Sequence, residues 1–281
     1  MGRKRGNSAV NKLFIWVRKQ SIKVKIFLAV TSFLSSLVAL RFLVHDTNQF
    51  FVASEFVHAA GIILLIYKLT TLKTCSGLSL QTQELTATFL AVRLCCSYMM
   101  EHDIHTVLDF ATLVSTLWVI YMIRFKLNST YNEDLDNLPK YYLLVPCAIL
   151  AIFIHPHTYH SHMSKVSWAF CVYLESIAVL PQLMMMQKTK MIEPSTARYV
   201  FALGLARFLG CAHWIIQVYE SAGSYLFLLG SGYFWLPMVL LAEAVQTFIL
   251  ADFCYYYVKS VVNGQLLVSL PPVEKKFGMN K

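Results

Sequence analysis

The chain of 281 residues is 57% hydrophobic and only 14% charged, too apolar for a soluble domain of this length. Its 24 Lys and Arg outnumber 15 Asp and Glu, for a net charge of +9. These cations cluster between apolar blocks and form no stripe interleaved with aromatics, a pattern of membrane topology and not of nucleic-acid binding. The predicted class is an all-α polytopic membrane protein whose surroundings are the lipid bilayer.

In chain order, residues 1–25 form a basic arm carrying Arg3, Lys4, Arg5, Lys12, Arg18, Lys19, Lys23 and Lys25. No short apolar region with a small-residue cleavage site follows, so the first apolar block reads as a retained anchor. Gly2 is followed by Gly6 where a myristoylation motif takes Ser or Thr, and no lipidation is read. About eight spans can be drawn, at 26–44, 50–69, 84–100, 104–122, 141–156, 166–186, 197–219 and 234–258. The links between them alternate in charge. Lys73, then Arg124, Lys126 and Lys140, then Lys188, Lys190 and Arg198, and finally the tail 259–281 are basic, while links 45–49, 101–103, 156–165 and 220–232 hold almost no Lys or Arg. The positive-inside rule therefore puts both termini in the cytosol, together with the sequon Asn128-Ser129-Thr130, which should stay unmodified.

An internal repeat aligns Lys73-Thr74, Ser79 and Arg93 with Lys188-Thr189, Ser195 and Arg207 at offsets of 115, 116 and 114 residues. Two three-helix units, spans two to four and six to eight, with span five between them, have the same orientation across the membrane. Span one lies outside the scheme, and Arg41 near its end can snorkel to the surface. The central run Tyr173 to Leu183 carries Glu175 and the pair Pro181-Gln182. A proline there removes a backbone donor, and the glutamine is expected to serve the freed groups of a kinked helix.

Arg93 and Arg207 fall at membrane depth, where a guanidinium stays charged and needs carboxylates. Glu175 is the obvious partner, with Glu243 a further negative charge for either arginine. One carboxylate does not neutralise two arginines, so the arrangement reads either as a site that greets an anionic ligand at Arg93 or as a buried charge network without one. His58 is a lone imidazole on an apolar face, and unperturbed imidazoles titrate near pH 6.5. Trp168 and Trp214 fit an interfacial belt. The histidine-rich link from His155 to His162 lacks Cys or carboxylate partners and reads as solvated, and Cys75, Cys95, Cys96, Cys147, Cys171, Cys211 and Cys254 lack zinc-site spacing and read as buried thiols. No triad, phosphate loop or paired catalytic carboxylates stand out, so neither an enzyme, a metal nor a cofactor is expected.

The run Tyr173 to Leu183, Lys188-Thr189 after it and the stretch from Tyr199 to Trp214 resemble the receptors that retain proteins in the endoplasmic reticulum by reading a Lys-Asp-Glu-Leu or His-Asp-Glu-Leu terminus. The similarity runs from about Phe50 to Leu270. It implies a PQ-loop fold like that of sugar carriers over 50–258, with 26–44 an added N-terminal helix. It further implies pH-dependent binding of C-terminal peptides of lumenal proteins in the Golgi and their return to the endoplasmic reticulum by vesicle coat machinery. By the same resemblance Arg93 holds the ligand's terminal carboxylate, Glu175 and Arg207 belong to a rearranging polar network, and Trp168 and Trp214 lie near the ligand. His58 is the pH sensor, and Asp252 is associated with transport. Four positions depart from the family pattern: Phe51 and Gln217 stand where it has ligand-binding arginines, Lys165 where it has a Glu, and Ala206 where it has an aromatic. Weak or altered reading of the acidic tetrapeptide is therefore expected. The tail places no lysine third from its end, so any retrieval should depend on other cytosolic features. Rival readings are a small-solute transporter and a non-transporting membrane scaffold.

Overall fold

The computed structural model describes residues 48–100, 104–157, 161–189, 192–220 and 234–262; the span expected at 26–44, its basic arm and most of the tail lie outside them. The chain divides between Gln49 and Phe50 into two units, of which Phe50–Lys281 holds the helices below apart from the first two residues of α1. Regular structure among the described residues is helical: α1 Asn48–Tyr67, α2 Leu80–Met100, α3 Ile104–Tyr121, α4 Tyr141–Phe153, α5 His162–Ile177, α6 Leu180–Lys188, α7 Pro194–Glu220 and α8 Trp235–Val262. Four stretches, Thr106–Lys126, His162–Lys188, Pro194–Ile216 and Trp235–Val261, are long and apolar enough on their own to cross a membrane, while α4 is a shorter apolar helix.

The polarity of the bundle is inverted relative to a soluble one. On α3 the large apolar residues Val107, Phe110, Val114, Leu117 and Tyr121 are exposed, at the three- and four-residue spacing of one helix face. The opposite face carries Asp109, Thr112 and Thr116. Such an arrangement suits a hydrocarbon surround, in which Leu-type side chains gain nothing from burial and polar groups must turn inward. Small residues then bring helices together. A Cβ on Gly204 would lie 2.4 Å from Cys254 Sγ, and one on Gly61 would lie 3.1 Å from Ala202 Cβ, so these glycines set the α7–α8 and α1–α7 approaches.

The span expected at 166–186 is two helices, α5 and α6, separated at Ala178 and Val179. Pro181 has no N–H to donate, and the Gln182 N–H leaves its own helix to bond Thr82 Oγ1 at 2.9 Å. Regular bonding resumes with Leu183 N–H on the Val179 carbonyl. The Gln182 side chain does not serve the bend, as the sequence suggested, but crosses to the other repeat. Its amide nitrogen donates to the Gly77 carbonyl at 2.7 Å, and its oxygen accepts from Ser79 N–H at 2.9 Å. The turn it holds is shaped by Gly77 at φ +75° and Lys73 at φ +50°, a conformation glycine adopts freely.

The corresponding position of the first repeat, 114 residues earlier, is Lys68. It is buried, and its ammonium donates to Ser76 carbonyl and to Thr196 Oγ1, both at 2.5 Å, and meets Glu193 at 2.8 Å. Thr196 in turn is the counterpart of Thr82. Each repeat thus inserts one long polar side chain into the start of the second helix of the other. Asp136 completes this end of the bundle by accepting from Ser79 Oγ (2.7 Å), Gln81 N–H (3.1 Å) and Tyr131 Oη (2.7 Å), which caps α2 and pins the loop before α4. Burial and the Asp136 carboxylate raise the Tyr131 hydroxyl's pKa and keep it a donor.

Replacing Gln182 by Leu removes two side-chain bonds and leaves the Gly77 and Ser79 groups without them. Thermal unfolding of the purified protein in detergent should show a loss of about 2–3 kcal/mol. The same change at exposed Met184 should have little effect.

Candidate functional site

Helical spacing gathers polar side chains onto inward faces. On α2 the residues Thr82, Thr86, Phe89, Arg93 and Ser97 recur every three or four positions, as do Asp109, Thr112, Thr116 and Val119 on α3. Together with Ser54 and His58 of α1, Trp168 and Glu175 of α5, Arg207, His213 and Trp214 of α7, and Glu243 and Gln246 of α8, they line one cavity of about 440 Å³. That volume is in the range of small-ligand sites. The α1 side of the cavity is fixed to α7 by Ser54 Oγ, which donates to the Ala206 carbonyl at 2.8 Å.

At its centre is a chain of charges. Arg93 presents one edge to Asp109, Nε to Oδ2 at 2.8 Å and Nη2 to Oδ1 at 2.5 Å, and gives Nη1 to Glu175 Oε2 at 2.8 Å. Glu175 turns its other oxygen to Arg207 Nη2 at 2.6 Å. Arg207 is completed by Gln246. The chemistry of that contact assigns the amide oxygen to the arginine, 2.7 Å from Nε and 3.1 Å from Nη1. The guanidinium of Arg93 also rests over the Phe89 ring, 5.5 Å from its centroid. The Asp109 and Glu175 side chains are only 15% and 16% exposed, and carboxylates so placed are tolerable because they are paired.

Of the residues singled out in the sequence, Arg93, Glu175, Arg207, Trp168, Trp214 and His58 line this one cavity. Asp252, one helix with Glu243, is not among its lining residues. Glu243 faces the cavity but forms no ion pair with either arginine. The residue that sequence reading missed is Asp109. It answers the count of one carboxylate for two arginines with a second, held side-on to the guanidinium expected to be open to a ligand. Its signal was available, as an acidic residue within the span at 104–122 on the face opposite that span's large apolar side chains. Between α4 and α5 His155 stacks on His157 and meets the edge of His162, while 158–160 lie outside the described residues. Among the described residues no group of three potential ligands could hold a metal ion.

The family model described as ER lumen protein retaining receptor matches residues 74–217, from the turn before α2 to near the end of α7. The chain is similar to an ER lumen protein-retaining receptor of Caenorhabditis elegans, with 34% identity over 80% of this chain and 99% of that protein. Receptors of the same description from Entamoeba histolytica and Arabidopsis thaliana are each 31% identical, over 79% and 78% of this chain and 98% of each relative.

The unequal roles of the two carboxylates are open to measurement. Glu175→Ala strips a partner from both guanidiniums and should destabilise the purified protein by about 3–5 kcal/mol. Asp109→Ala leaves Arg93 its bond to Glu175 and should cost less. Equal shifts of the two melting curves would contradict the shared role of Glu175.

Proposed function

Since the chain belongs to the ER lumen protein retaining receptor family, we propose that it is a membrane receptor of the early secretory pathway that captures the C-termini of lumenal proteins and returns them to the endoplasmic reticulum. The observation that carries this reading is the Asp109–Arg93–Glu175–Arg207 chain lining a cavity. Guanidiniums already held by carboxylates are geometrically matched to a peptide's terminal carboxylate, which enters by exchange with an internal one. In this reading the segment at 26–44, expected from its sequence to span the membrane, is an addition to a receptor domain at 50–258. Both termini face the cytosol, where coat machinery assembles. Protease added to intact microsomes should therefore remove tags from both ends, and a protected N-terminal tag would eliminate the span at 26–44.

Binding should strengthen as pH falls. His58 shares the cavity with Arg93, Asp109, Glu175, Arg207, His213 and Glu243. A ligand carboxylate adds one negative charge to this set, and a proton taken up by an imidazole offsets it, so binding and protonation favour each other.

The test is calorimetry on purified protein with a free-acid peptide and its C-terminal amide at pH 6 and 7. The free acid should bind at least about tenfold more tightly, a difference of roughly 1.4 kcal/mol. Arg93→Ala should abolish that difference, and His58→Ala should flatten the dependence on pH. Equal binding of the two forms would overturn the receptor reading, and solute uptake in proteoliposomes would then move it to a transporter.

A further inference from the structure

Resting on that receptor reading, the structure assigns to Asp109 the choice of ligand: we propose that it occupies the carboxylate position on Arg93 in the empty site, and that the peptides selected carry a basic side chain within their last residues beside the free C-terminus. Asp109 takes the Nε–Nη2 edge of Arg93 with both its oxygens, at 2.8 and 2.5 Å, which is the two-bond geometry a terminal carboxylate would form. The remaining terminal nitrogen is held by Glu175 at 2.8 Å. All three guanidinium nitrogens are thus already bonded, and a terminal carboxylate that takes the side-on position binds by displacing Asp109.

The displaced group remains in the cavity. Asp109 is tied to α3 and its side chain is only 15% exposed, so a ligand that brings only negative charge exchanges one paired carboxylate for one unpaired carboxylate. Arg207 offers the displaced carboxylate no second guanidinium, because it is taken by Glu175 and Gln246. The described lining already sets three carboxyl groups, Asp109, Glu175 and Glu243, against two guanidiniums. A ligand that is itself dipolar satisfies both sides of the exchange: its terminal carboxylate replaces Asp109 on Arg93, and its own cation receives Asp109. The side-on contact joins neighbouring atoms, so the cation must lie close to the carboxylate, on the penultimate residue or the one before it. A tetrapeptide ending with two consecutive acidic side chains before its last residue is the opposite case and is disfavoured.

Three free-acid octapeptides of otherwise identical sequence serve as probes, ending Ala-Ala-Lys-Leu, Ala-Ala-Glu-Leu and Lys-Asp-Glu-Leu, each paired with its amide and titrated into the wild-type protein and Asp109→Asn. Wild type should bind the peptide with penultimate lysine at least about tenfold more tightly than either acidic one. In Asp109→Asn the acidic peptides should gain about tenfold and the lysine peptide should lose its advantage. A wild-type ranking with an acidic peptide first, or an unchanged ranking in Asp109→Asn, overturns the assignment. The wild-type ranking decides alone if the variant does not fold. Free acids that outbind their amides without any preference for charge would sink only this inference, whereas equal binding of every acid and its amide would sink the receptor reading with it.

Discussion

The sharing of Glu175 between Arg93 and Arg207 is the constraint on which the site depends. The two arginines are counterparts in an internal repeat, so a pseudo-symmetric scaffold delivers two equal positive charges to one region, and one carboxylate between them breaks the symmetry. The remaining valences are met differently. Arg93 takes a charged partner from α3, and Arg207 takes a neutral one from α8. Each half of the site consequently has its own chemistry, although the two arginines hold matching places in the repeat.

At the opposite end the symmetry is better kept. Lys68 and Gln182 occupy matching places and reach into matching turns, with Thr196 and Thr82 as matching acceptors. The difference is charge. Lys68 is a buried ammonium that requires Glu193, whereas the Gln182 side-chain amide is neutral and is satisfied by backbone groups alone. The attraction in a buried ion pair of this kind is largely offset by desolvation, so its net contribution to stability is small.

Much of this was legible in the sequence, for a physical reason: an ionisable group at membrane depth is so costly that its position alone marks it. Arg93, Glu175 and Arg207 were found by that rule, and the helices fall close to the spans read from apolar blocks. Asp109 obeys the same rule, but its span is otherwise rich in Leu and Val, and only the placement of those residues on one face exposes the other. Gln182 was noticed but assigned to the wrong task. Local sequence suggests that a polar residue beside a proline mends the local backbone, and nothing local indicates partners about a hundred positions away. Lys68 carries no local mark of burial either, because a lysine near the end of a span can also snorkel to the surface.

The break at Ala178 and Val179 has a mechanical meaning. Two successive rungs of the helical ladder are missing, one because Pro181 has no proton to give and one because the Gln182 amide is spent on α2. The rods on either side are otherwise regular, and they carry opposite duties: α6 is bolted to the neighbouring repeat, while α5 bears the carboxylate at the heart of the cavity. Two residues form the whole joint between them. The joint is where the two rods are least tied to one another along the chain, and α6, anchored across to the other repeat, is its fixed side.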